Sequence, residues 1–518
     1  MKDILICSMP ALFVDRLPGA PAILKSAVEQ AGFTAQTVDF SIAFFKNQCG
    51  GDLDLWHRLG SIFRAGEAYD TQALEAGNQW IEDSISYITN VDPKILGISV
   101  FTNFQHRSTV MLLKELRRRA PHLKIVLGGM GLTVSCASLS NFIIPVKKID
   151  VIKSFHQFMS DHDWADYVVL REPLDELIRI MQQELGKPKE WDEVYASQGA
   201  IFKTPMPNYD DYDLSQYVFN DDVSLPITGS KGCVRACTFC DIPGQFGRFS
   251  FRTGEDIGQE IIALSKKYGV KVFEFTDSLV NGSFKAFRQW LTVLADYNDQ
   301  QSHDNKIRWF GQYICRPQQQ IPSDIYPLIS RSGVSNLVIG VESGSDAVLA
   351  AMKKQMTVKD VFDELEQFKK HNIKCSILML SGFYNETYER YIESLKFLVD
   401  CQPYFASGII TKIGVGPPLI VFNDTYLQQE ADKLGLVLDT FDESMWTAVY
   451  DPTNDYPYRA VNRVTTQLVV DALGYPTAGQ NISNIHQVLQ KLRKKEQELT
   501  QTLYALTQVT TDRSRLSA

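Results

Sequence analysis

The sequence of 518 residues has no apolar run that reaches the roughly 18 residues needed by a membrane-spanning helix. The apolar stretch at residues 4–14 follows a single lysine, contains Pro10 and is not followed by a cleavage site of small residues. We therefore expect a first buried strand here and no signal peptide. Together these absences predict a cytoplasmic protein that does not contact membranes.

An excess of positive charge is also absent. The 61 Asp and Glu residues outnumber the 52 Lys and Arg residues, which gives a net charge of -9. That balance lacks the electrostatic footprint of a general nucleic-acid-binding protein. We therefore expect a small molecule or a peptide as the substrate, and nucleic acid is the weaker alternative.

The sequence lacks the even, regularly spaced cysteines of a disulfide framework. It has nine cysteines, of which six are scattered singly. The other three, Cys233, Cys237 and Cys240, fall within eight residues. An odd and uneven set in a long chain is typical of a reducing compartment with one special cysteine cluster.

Residues 1–195 alternate short apolar runs with amphipathic stretches. The apolar runs predict strands near residues 4–7, 36–39, 95–99, 125–129 and 167–170, with helices at 22–31, about 105–119 and from 174 onward. This alternation predicts right-handed βαβ units in a parallel, doubly wound, Rossmann-like domain. Ligands of such sheets lie beyond the carboxyl ends of the strands.

A second alternating region follows a connector. Residues 196–224 are rich in Pro, Asp and Tyr and predict a linker without periodic structure. Residues 225–425 carry strand candidates at 225–228, 270–276, 307–315, 336–341, 374–380 and 408–413. These five or six β/α units predict a partial (β/α)₆ barrel with its chemistry at the C-terminal face. Residues 426–518 predict a small, mainly helical region that ends in a charged amphipathic helix at about 482–508.

The cysteine cluster has the spacing C-x₃-C-x₂-C, in the loop after the first predicted barrel strand. Three thiolates on one short loop can bind three irons of a cubane [4Fe–4S] cluster and leave the fourth iron open. A structural zinc site needs four ligands, and the next His or Cys residues downstream are as distant as His303 and Cys315. The spacing therefore favours an iron–sulfur cluster over zinc.

The run from Gly232 to Asp241, with Phe239 directly before Cys240, resembles the signature of the radical S-adenosylmethionine (SAM) superfamily. This resemblance implies a partial barrel in which SAM binds the open iron. It also implies an enzyme in which an electron from the cluster cleaves SAM and leaves a 5′-deoxyadenosyl radical. An electron donor such as flavodoxin or ferredoxin is implied as a partner.

By position along the chain, the family pattern also implies which residues contact SAM. They are Phe239, Asp277 and Ser278 after the second barrel strand, Arg316 after the third, and Glu342 and Ser343 after the fourth. The segment 380–387 resembles the family turn after the fifth strand, with Phe383-Tyr384-Asn385 in place of its usual core. Each piece alone is equally compatible with an ordinary strand-to-helix turn. Their joint order is what supports the resemblance.

The Rossmann-like domain ahead of the barrel resembles that of the cobalamin-binding subclass. The resemblance implies cobalamin contacts at Pro10, Ser99, Thr102, Gly128, Gly129 and Glu172, because small residues after strands let a flat corrin approach the backbone. The sequence has no Asp-x-His-x-x-Gly loop to ligate cobalt. Either cobalt has no His ligand, or the domain is degenerate and no longer binds cobalamin. If cobalamin binds, the implied reaction is methylation of an unactivated carbon.

Three alternatives remain open at this point. A cobalamin-free radical enzyme would act as a dehydrogenase, epimerase or cyclase. A methylthiotransferase would need a second cluster, for which Cys7, Cys49 and Cys136 are the only candidates, and their spacing does not resemble that pattern. A non-catalytic electron carrier would need four protein ligands.

The substrate pocket is expected on the loops after the barrel strands. Tyr313, Lys412 and Trp446 are candidate lining residues, and each could equally serve packing.

Overall fold

The computed structural model describes residues 1–10, 13–64, 69–134, 154–170, 173–186, 200–219, 222–423, 425–439 and 444–474. The chain divides into two compact units. The first comprises residues 1–228 and 250–274, and the second comprises residues 229–249 and 275–518. Among the helices within these ranges, none combines the length and the apolar character needed to cross a bilayer.

The first unit is built on a five-stranded parallel sheet with the order β2-β1-β3-β4-β5. Its strands are β1 (Lys2–Ser8), β2 (Ala35–Asp39), β3 (Pro93–Ser99), β4 (Lys124–Gly128) and β5 (Tyr167–Val169). The accompanying helices are α1 (Gly19–Gln30), α2 (Phe40–Asn47), α3 (Leu53–Leu59), α4 (Thr71–Val91), α5 (His106–Arg119), α6 (Phe155–Ser160) and α7 (Pro173–Leu185). The predicted strands and the doubly wound order are confirmed.

Apolar packing explains why the sequences of these strands are continuously apolar and do not alternate between apolar and polar residues. Ile4 and Ile6 of β1 are buried against Val28 of α1 and against Ile178 and Met181 of α7. Strands covered by helices have no face left for polar residues. In β1 and β3 the polar residues lie at the strand ends, and Ser8 and Ser99 are at the carboxyl ends, where a ligand would lie.

The connector between the two alternating regions packs against the first unit in its described part, residues 200–219. The carboxylate of Asp211 accepts a hydrogen bond from Lys25 Nζ at 2.5 Å and from the backbone N–H of Thr37 at 2.8 Å. The hydroxyl of Tyr217 donates to buried Asp39 at 3.1 Å. These contacts fix residues 200–219 of the predicted linker, and this described part carries no long helix or strand.

The rest of the first unit includes the antiparallel pair β6 (Val218–Phe219) and β7 (Asp222–Ile227), then β9 (Ser250–Phe251), α9 (Gly254–Tyr268) and most of β10 (Val272–Phe275). A buried ion pair joins Arg252 to Glu260, with 2.7 Å between Nη2 and Oε2. The same guanidinium donates to the carbonyl of Thr228 at 3.1 Å. Arg252 therefore fixes the point from which the chain departs into residues 229–249.

The second unit contains four consecutive parallel strands with the order β14-β13-β12-β11. It begins with β8 (Ser230–Lys231) and α8 (Ile242–Phe246). The strands are β11 (Arg308–Tyr313), β12 (Val334–Glu342), β13 (Cys375–Ser381) and β14 (Ile410–Pro418). The helices are α10 (Phe284–Asn298), α11 (Ile325–Arg331), α12 (Asp346–Ala351), α13 (Val358–His371), α14 (Tyr388–Asp400) and α15 (Gln402–Ala406). The β/α alternation predicted for residues 225–425 is confirmed element by element.

The end of the described chain packs on the same unit. It comprises α16 (Tyr426–Gln429), α17 (Ala431–Leu434), the antiparallel strands β15 (Leu436–Leu438) and β16 (Trp446–Ala448), and α18 (Tyr456–Gly474). Leu427, Leu436 and Trp446 share an apolar cluster with Phe383 and Leu419. The β15–β16 hairpin was not predicted from the sequence, and the predicted helix at 482–508 lies outside the described residues.

Candidate active site

The three clustered cysteines lie on the loop between β8 and α8, and all three are partly buried. The loop turns at Gly232, whose φ of 77° is left-handed and suits glycine. Cys240 donates its backbone N–H to the carbonyl of Cys237 at 3.1 Å. In the described chain no three Cys, His, Asp or Glu side chains converge on a single metal ion. A cubane cluster takes one thiolate per iron, so thiols spread along one loop fit it better than zinc.

Side chains and backbone groups from other parts of the second unit hold this loop. At its entrance, Asp277 accepts the backbone N–H of Gly229 at 2.7 Å and the hydroxyl of Ser230 at 2.6 Å. In its middle, Thr238 donates its N–H to the carbonyl of Met352 and accepts the N–H of Leu427, both at 3.0 Å. The loop is thereby fixed between cysteines as well as before them.

Burial dominates the electrostatics of the Cys237 and Cys240 thiols. It raises the pKa of Cys240 to about 12, and it also raises the pKa of Cys237 against the opposing charges of Lys354 and Arg235. Buried thiols of this kind are inert until a metal supplies positive charge. The donor set therefore suits a bound cluster and does not suit an exposed catalytic nucleophile.

Of the predicted SAM-binding residues, Arg316 has a side chain with unused hydrogen-bonding capacity. Its Nη2 donates to the carbonyl of Asn281 at 3.2 Å, and its guanidinium lies 5.2 Å from the ring centroid of Phe284. Its Nε is buried and has no hydrogen-bond partner. The side chain is close enough to Cys233 for the two to interact electrostatically. Arg316 thus presents a cation and a free donor beside the cysteine loop.

Glu342 and Phe239 are also brought near the cysteines. Glu342 ends β12 with a left-handed φ of 74°, and its Oε1 lies 3.5 Å from Nζ of Lys354. The ring of Phe239 packs edge-on against Phe383, with 6.3 Å between centroids. Ser278, after β10, is partly buried. All three follow or face strand ends, as the predicted barrel requires.

Other predicted site residues are engaged within the protein. Asp277 makes the anchoring contacts described above. Ser343 is fully buried, lies 3.1 Å from the hydroxyl of Ser394 and accepts the N–H of Ser345. Among the candidate pocket residues, Trp446 donates its indole N–H to the carbonyl of Leu419 at 2.9 Å, while Lys412 is exposed on β14. Direct contacts of Asp277 and Ser343 with SAM remain predictions.

Sequence reasoning missed two buried cations beside the cysteines, Arg235 and Lys354. Arg235 lies between Cys233 and Cys237 and donates to the carbonyl of Cys315. Its position inside the cysteine spacing was a signal that could have identified it. Lys354 lies in a polar run after α12, where nothing in the sequence separates it from its exposed neighbour Lys353.

The first unit places the predicted cobalamin contacts at the carboxyl edge of its sheet. Ser99 and Gly128 end β3 and β4, Pro10 and Thr102 lie on the loops that follow β1 and β3, and Glu172 lies outside the described residues. Gly129 has φ 115°, and a Cβ there would lie 2.2 Å from the carbonyl oxygen of Val100. At Gly128, by contrast, the nearest heavy atom to an added Cβ would be 3.8 Å away.

Exposed aromatic rings follow the same strand ends. Phe101 and Phe104, after β3, are 49% and 50% exposed, and Phe13, after β1, is 57% exposed. His106 is not available there as a metal ligand, because it stacks on Phe155 and its Nε2 lies 2.7 Å from the carbonyl of Gly131. Burial lowers the pKa of His106 to about 4. Small residues and exposed rings at one edge fit a flat, partly apolar ligand.

Comparison with known proteins finds similarity to radical SAM proteins in part of this chain. Residues 227–398 match the model of the radical SAM superfamily. An uncharacterized methyltransferase of Pyrococcus horikoshii is 22% identical over 65% of this chain and 71% of that protein. A tRNA-2-methylthio-N(6)-dimethylallyladenosine synthase of Cellvibrio japonicus is 26% identical over 52% of this chain and 60% of that protein. An anaerobic magnesium-protoporphyrin IX monomethyl ester cyclase of Synechocystis sp. is 22% identical over 58% of each chain. This chain therefore spans less than two thirds of the latter two.

Two solved structures share the fold over most of the chain. TsrM of Kitasatospora setae, a radical SAM methyltransferase with cobalamin and a [4Fe–4S] cluster bound, gives a TM-score of 0.57 with 15% identity over 85% of this chain and 81% of that one. OxsB, a cobalamin-dependent radical enzyme with aqua-cobalamin and SAM bound, gives 0.60 with 14% identity over 91% and 67%. The predicted α/β architecture is thereby confirmed, and the family match confirms the radical SAM core, whose cofactors are a [4Fe–4S] cluster and SAM.

Replacing Asp277 tests the anchoring of the cysteine loop. In Asp277→Ala, the N–H of Gly229 and the hydroxyl of Ser230 lose their acceptor, at a cost of about 1–3 kcal/mol. We expect less iron bound per chain after reconstitution and a lower melting temperature. The neighbouring Ser278→Ala is the control and should retain the wild-type iron content. Full iron binding and unchanged melting of Asp277→Ala would show that the loop does not depend on this carboxylate.

The buried carboxyl group of Glu364, on α13, makes the free energy of unfolding depend on pH. The hydroxyls of Tyr313 and Tyr326 donate to Oε1 of Glu364 at 2.7 and 3.0 Å, and burial raises the pKa of Glu364 to about 7. The unfolded value is about 4.3. Between these values the folded protein holds a proton that the unfolded chain has lost, so stability falls as the pH rises.

As the pH rises from about 4.5 to above 7, we expect the ionisation of Glu364 to lower the free energy of unfolding by up to about 3 kcal/mol. Glu364→Gln keeps an acceptor for both tyrosines but cannot ionise, so its stability should decline less over that range. Urea unfolding at a series of pH values measures both slopes. Parallel curves for the wild type and the variant would contradict the raised pKa.

Proposed function

We propose that the whole chain is a cobalamin-dependent methyltransferase, on the premise that residues 227–398 match the radical SAM superfamily. Its reaction would methylate an unactivated carbon of a small molecule or a peptide. The observation that carries the proposal is the presence, in one chain, of an anchored three-cysteine loop and a doubly wound sheet whose carboxyl edge exposes aromatic rings.

Cys233, Cys237 and Cys240 would hold the [4Fe–4S] cluster. When bound, the cluster and SAM together supply a radical that abstracts hydrogen from unactivated carbon. The protein fixes the three sulfurs through the contacts of Asp277 and Thr238 and partly buries them. A loop held in this way needs little reorganisation when the cluster binds.

Arg316 and Glu342 are suited to orient SAM. The unpartnered Nε of Arg316 gives a cation and a donor for a carboxylate group, and Arg is well suited to such pairing. The carboxylate of Glu342 would accept hydrogen bonds from ribose hydroxyls, with Ser278 and Phe239 nearby in the chain order that the family pattern implies. The SAM contacts predicted from the sequence for Arg316 and Glu342 are thus supported by hydrogen-bonding groups that these side chains have available.

Cobalamin would bind at the carboxyl edge of the first unit. Gly128 permits close approach of a flat ring, because an added Cβ would meet only the carbonyl oxygen of Val169 at 3.8 Å, whereas Gly129 is required by the close backbone of Val100. Phe101 and Phe104 would provide apolar contact area. Since His106 is buried and stacked, cobalt would be bound without it as a ligand. The likeness to TsrM and OxsB in overall fold supports this assignment.

A methylthiotransferase is not favoured by the described cysteines of the first unit. Cys7 is fully buried, and its thiol donates to the carbonyl of Gly97 at 3.5 Å. Cys49 is also buried, and burial raises its pKa to about 11. Both pack as small apolar side chains, and Cys136 lies outside the described residues.

The proposed partners are a low-potential electron donor such as flavodoxin or ferredoxin and the substrate.

The test uses the full chain, purified without oxygen, reconstituted with iron and sulfide and incubated with hydroxocobalamin. After desalting, the wild type should retain about four irons per chain together with corrin absorption. The triple variant Cys233→Ala, Cys237→Ala, Cys240→Ala should lose the iron and keep the corrin. Cys49→Ala serves as the control for removal of a buried cysteine and should keep both.

Gly128→Leu tests the corrin site separately, because the backbone there tolerates a side chain that would project where the ring must lie. It should keep the iron and the wild-type melting temperature but lose the corrin. A wild type that binds iron without corrin would instead support a cobalamin-free radical enzyme. Absence of iron in the competently reconstituted wild type would refute the proposal as a whole.

A further inference from the structure

The segment from Ala351 to Met356, termed the clamp segment below, holds the cysteine loop by its backbone and side chains. The carbonyls of Ala351 and Met352 accept the hydroxyl and the N–H of Thr238 at 3.3 and 3.0 Å. The sulfur of Met356 lies 3.8 Å from Nη1 of Arg235. The clamp segment therefore contacts the loop on both sides of Cys237.

The clamp segment has an uncommon backbone. Lys353 and Gln355 have φ values of 55° and 52°, and Glu342, which pairs with this segment, has a φ of 74°. Lys353 takes this conformation in the Schellman motif that ends α12. At Glu342 and Gln355 a left-handed conformation costs on the order of 1–3 kcal/mol and persists where the surroundings fix it. Exposed and buried residues alternate along the clamp segment, so Lys353 and Gln355 are exposed and Lys354 is buried.

Lys354 is buried within the unit, with its side chain 8% exposed. Its Nζ lies 3.5 Å from Oε1 of Glu342 and 5.9 Å from the ring centroid of Phe239. Phe239 lies between Cys237 and Cys240, so Nζ of Lys354 lies beside the cysteine loop, close enough to Cys237 for the two to interact electrostatically. A buried lysine is costly, and a single weak ion pair does not account for placing one here.

We propose that Lys354 is a positioning residue whose ammonium sets the charge beside Cys237 and thereby raises the reduction potential of the bound cluster. The inference rests on the proposed function, since it requires the cluster. Reduction adds one electron from the low-potential donor to the cluster and breaks no bond. A fixed positive charge stabilises the more negative, reduced state, and its effect is strong because the site is largely screened from water. Glu342 keeps the ammonium in place.

The experiment compares three lysine variants of the reconstituted full chain. Lys354→Met removes the charge but keeps the length and apolar stem of the side chain. Lys354→Arg keeps a charge at the same position. Lys359→Met removes the same charge from the surface of α13, where the side chain is 80% exposed. Iron content, melting temperature and the reduction potential, measured by titration followed by electron paramagnetic resonance, are recorded for each.

We expect Lys354→Met to bind a full complement of iron but to be harder to reduce. At a fixed solution potential its ratio of reduced to oxidised cluster should fall about tenfold, which corresponds to a midpoint about 59 mV more negative. Lys354→Arg should recover most of that loss, and Lys359→Met should titrate like the wild type.

Two outcomes would overturn the inference and leave the proposed function standing. One is a Lys354→Met variant with full iron and an unchanged midpoint, which would show that the ammonium does not act on the cluster. The other is a Lys354→Met variant that binds iron poorly but whose remaining cluster has the wild-type midpoint, which would make Lys354 a packing residue. A wild type without iron would refute the proposed function itself.

Discussion

The cysteine loop depends on hydrogen bonds from outside itself, because residues 232–240 contain neither a helix nor a strand. Backbone N–H and C=O groups in such a loop have no regular helix or strand partners for their hydrogen bonds. Three ligands of one cluster must also keep their relative positions closely. Asp277 fixes the entrance, and the clamp segment and Leu427 fix Thr238 between two cysteines. Much of the second unit can be understood as the scaffold that brings these anchors to one place.

Electrostatics imposes the second constraint on the same loop. Burial disfavours the ionised thiols of Cys237 and Cys240, yet the proposed cluster needs thiolates as ligands. Arg235 and Lys354 supply buried positive charge next to Cys237, and Arg316 supplies it near Cys233. These cations reduce the cost of concentrating negative charge on one loop, while the carbonyl of Cys315 and the carboxylate of Glu342 keep two of them in place.

The sequence was sufficient to predict the main architecture, because most of the longer strands and helices have a periodic signal. It was not sufficient to predict how polar residues at strand ends are used. Asp277 follows a strand as a cofactor contact would, and the sequence did not show that its carboxylate also accepts hydrogen bonds from Gly229 and Ser230. Tyr313 was a candidate pocket residue, but it points to Glu364, which is 51 positions away in sequence. Spacing along the chain does not show whether a polar side chain forms its hydrogen bonds with the protein or with a ligand, because the same residue at the same position can do either. The β15–β16 hairpin was missed because its strands have only three residues each, too few to show alternation.

Left-handed residues elsewhere in the second unit show why the clamp segment requires an explanation. Asn372 has a φ of 51° at the C-terminal end of α13, where asparagine is a common choice because its short side chain tolerates that conformation. Glu342, Lys353 and Gln355 are long side chains without that tolerance. Lys353 also has a local explanation, because it closes a Schellman motif at the end of α12, in which the N–H groups of Lys353 and Lys354 donate to the carbonyls of Ala350 and Leu349, both at 3.0 Å. Local turn chemistry therefore explains Asn372 and Lys353 and does not explain Glu342 or Gln355. Together with the turn at Lys353, the tertiary contacts leave one lysine directed inward, toward Glu342.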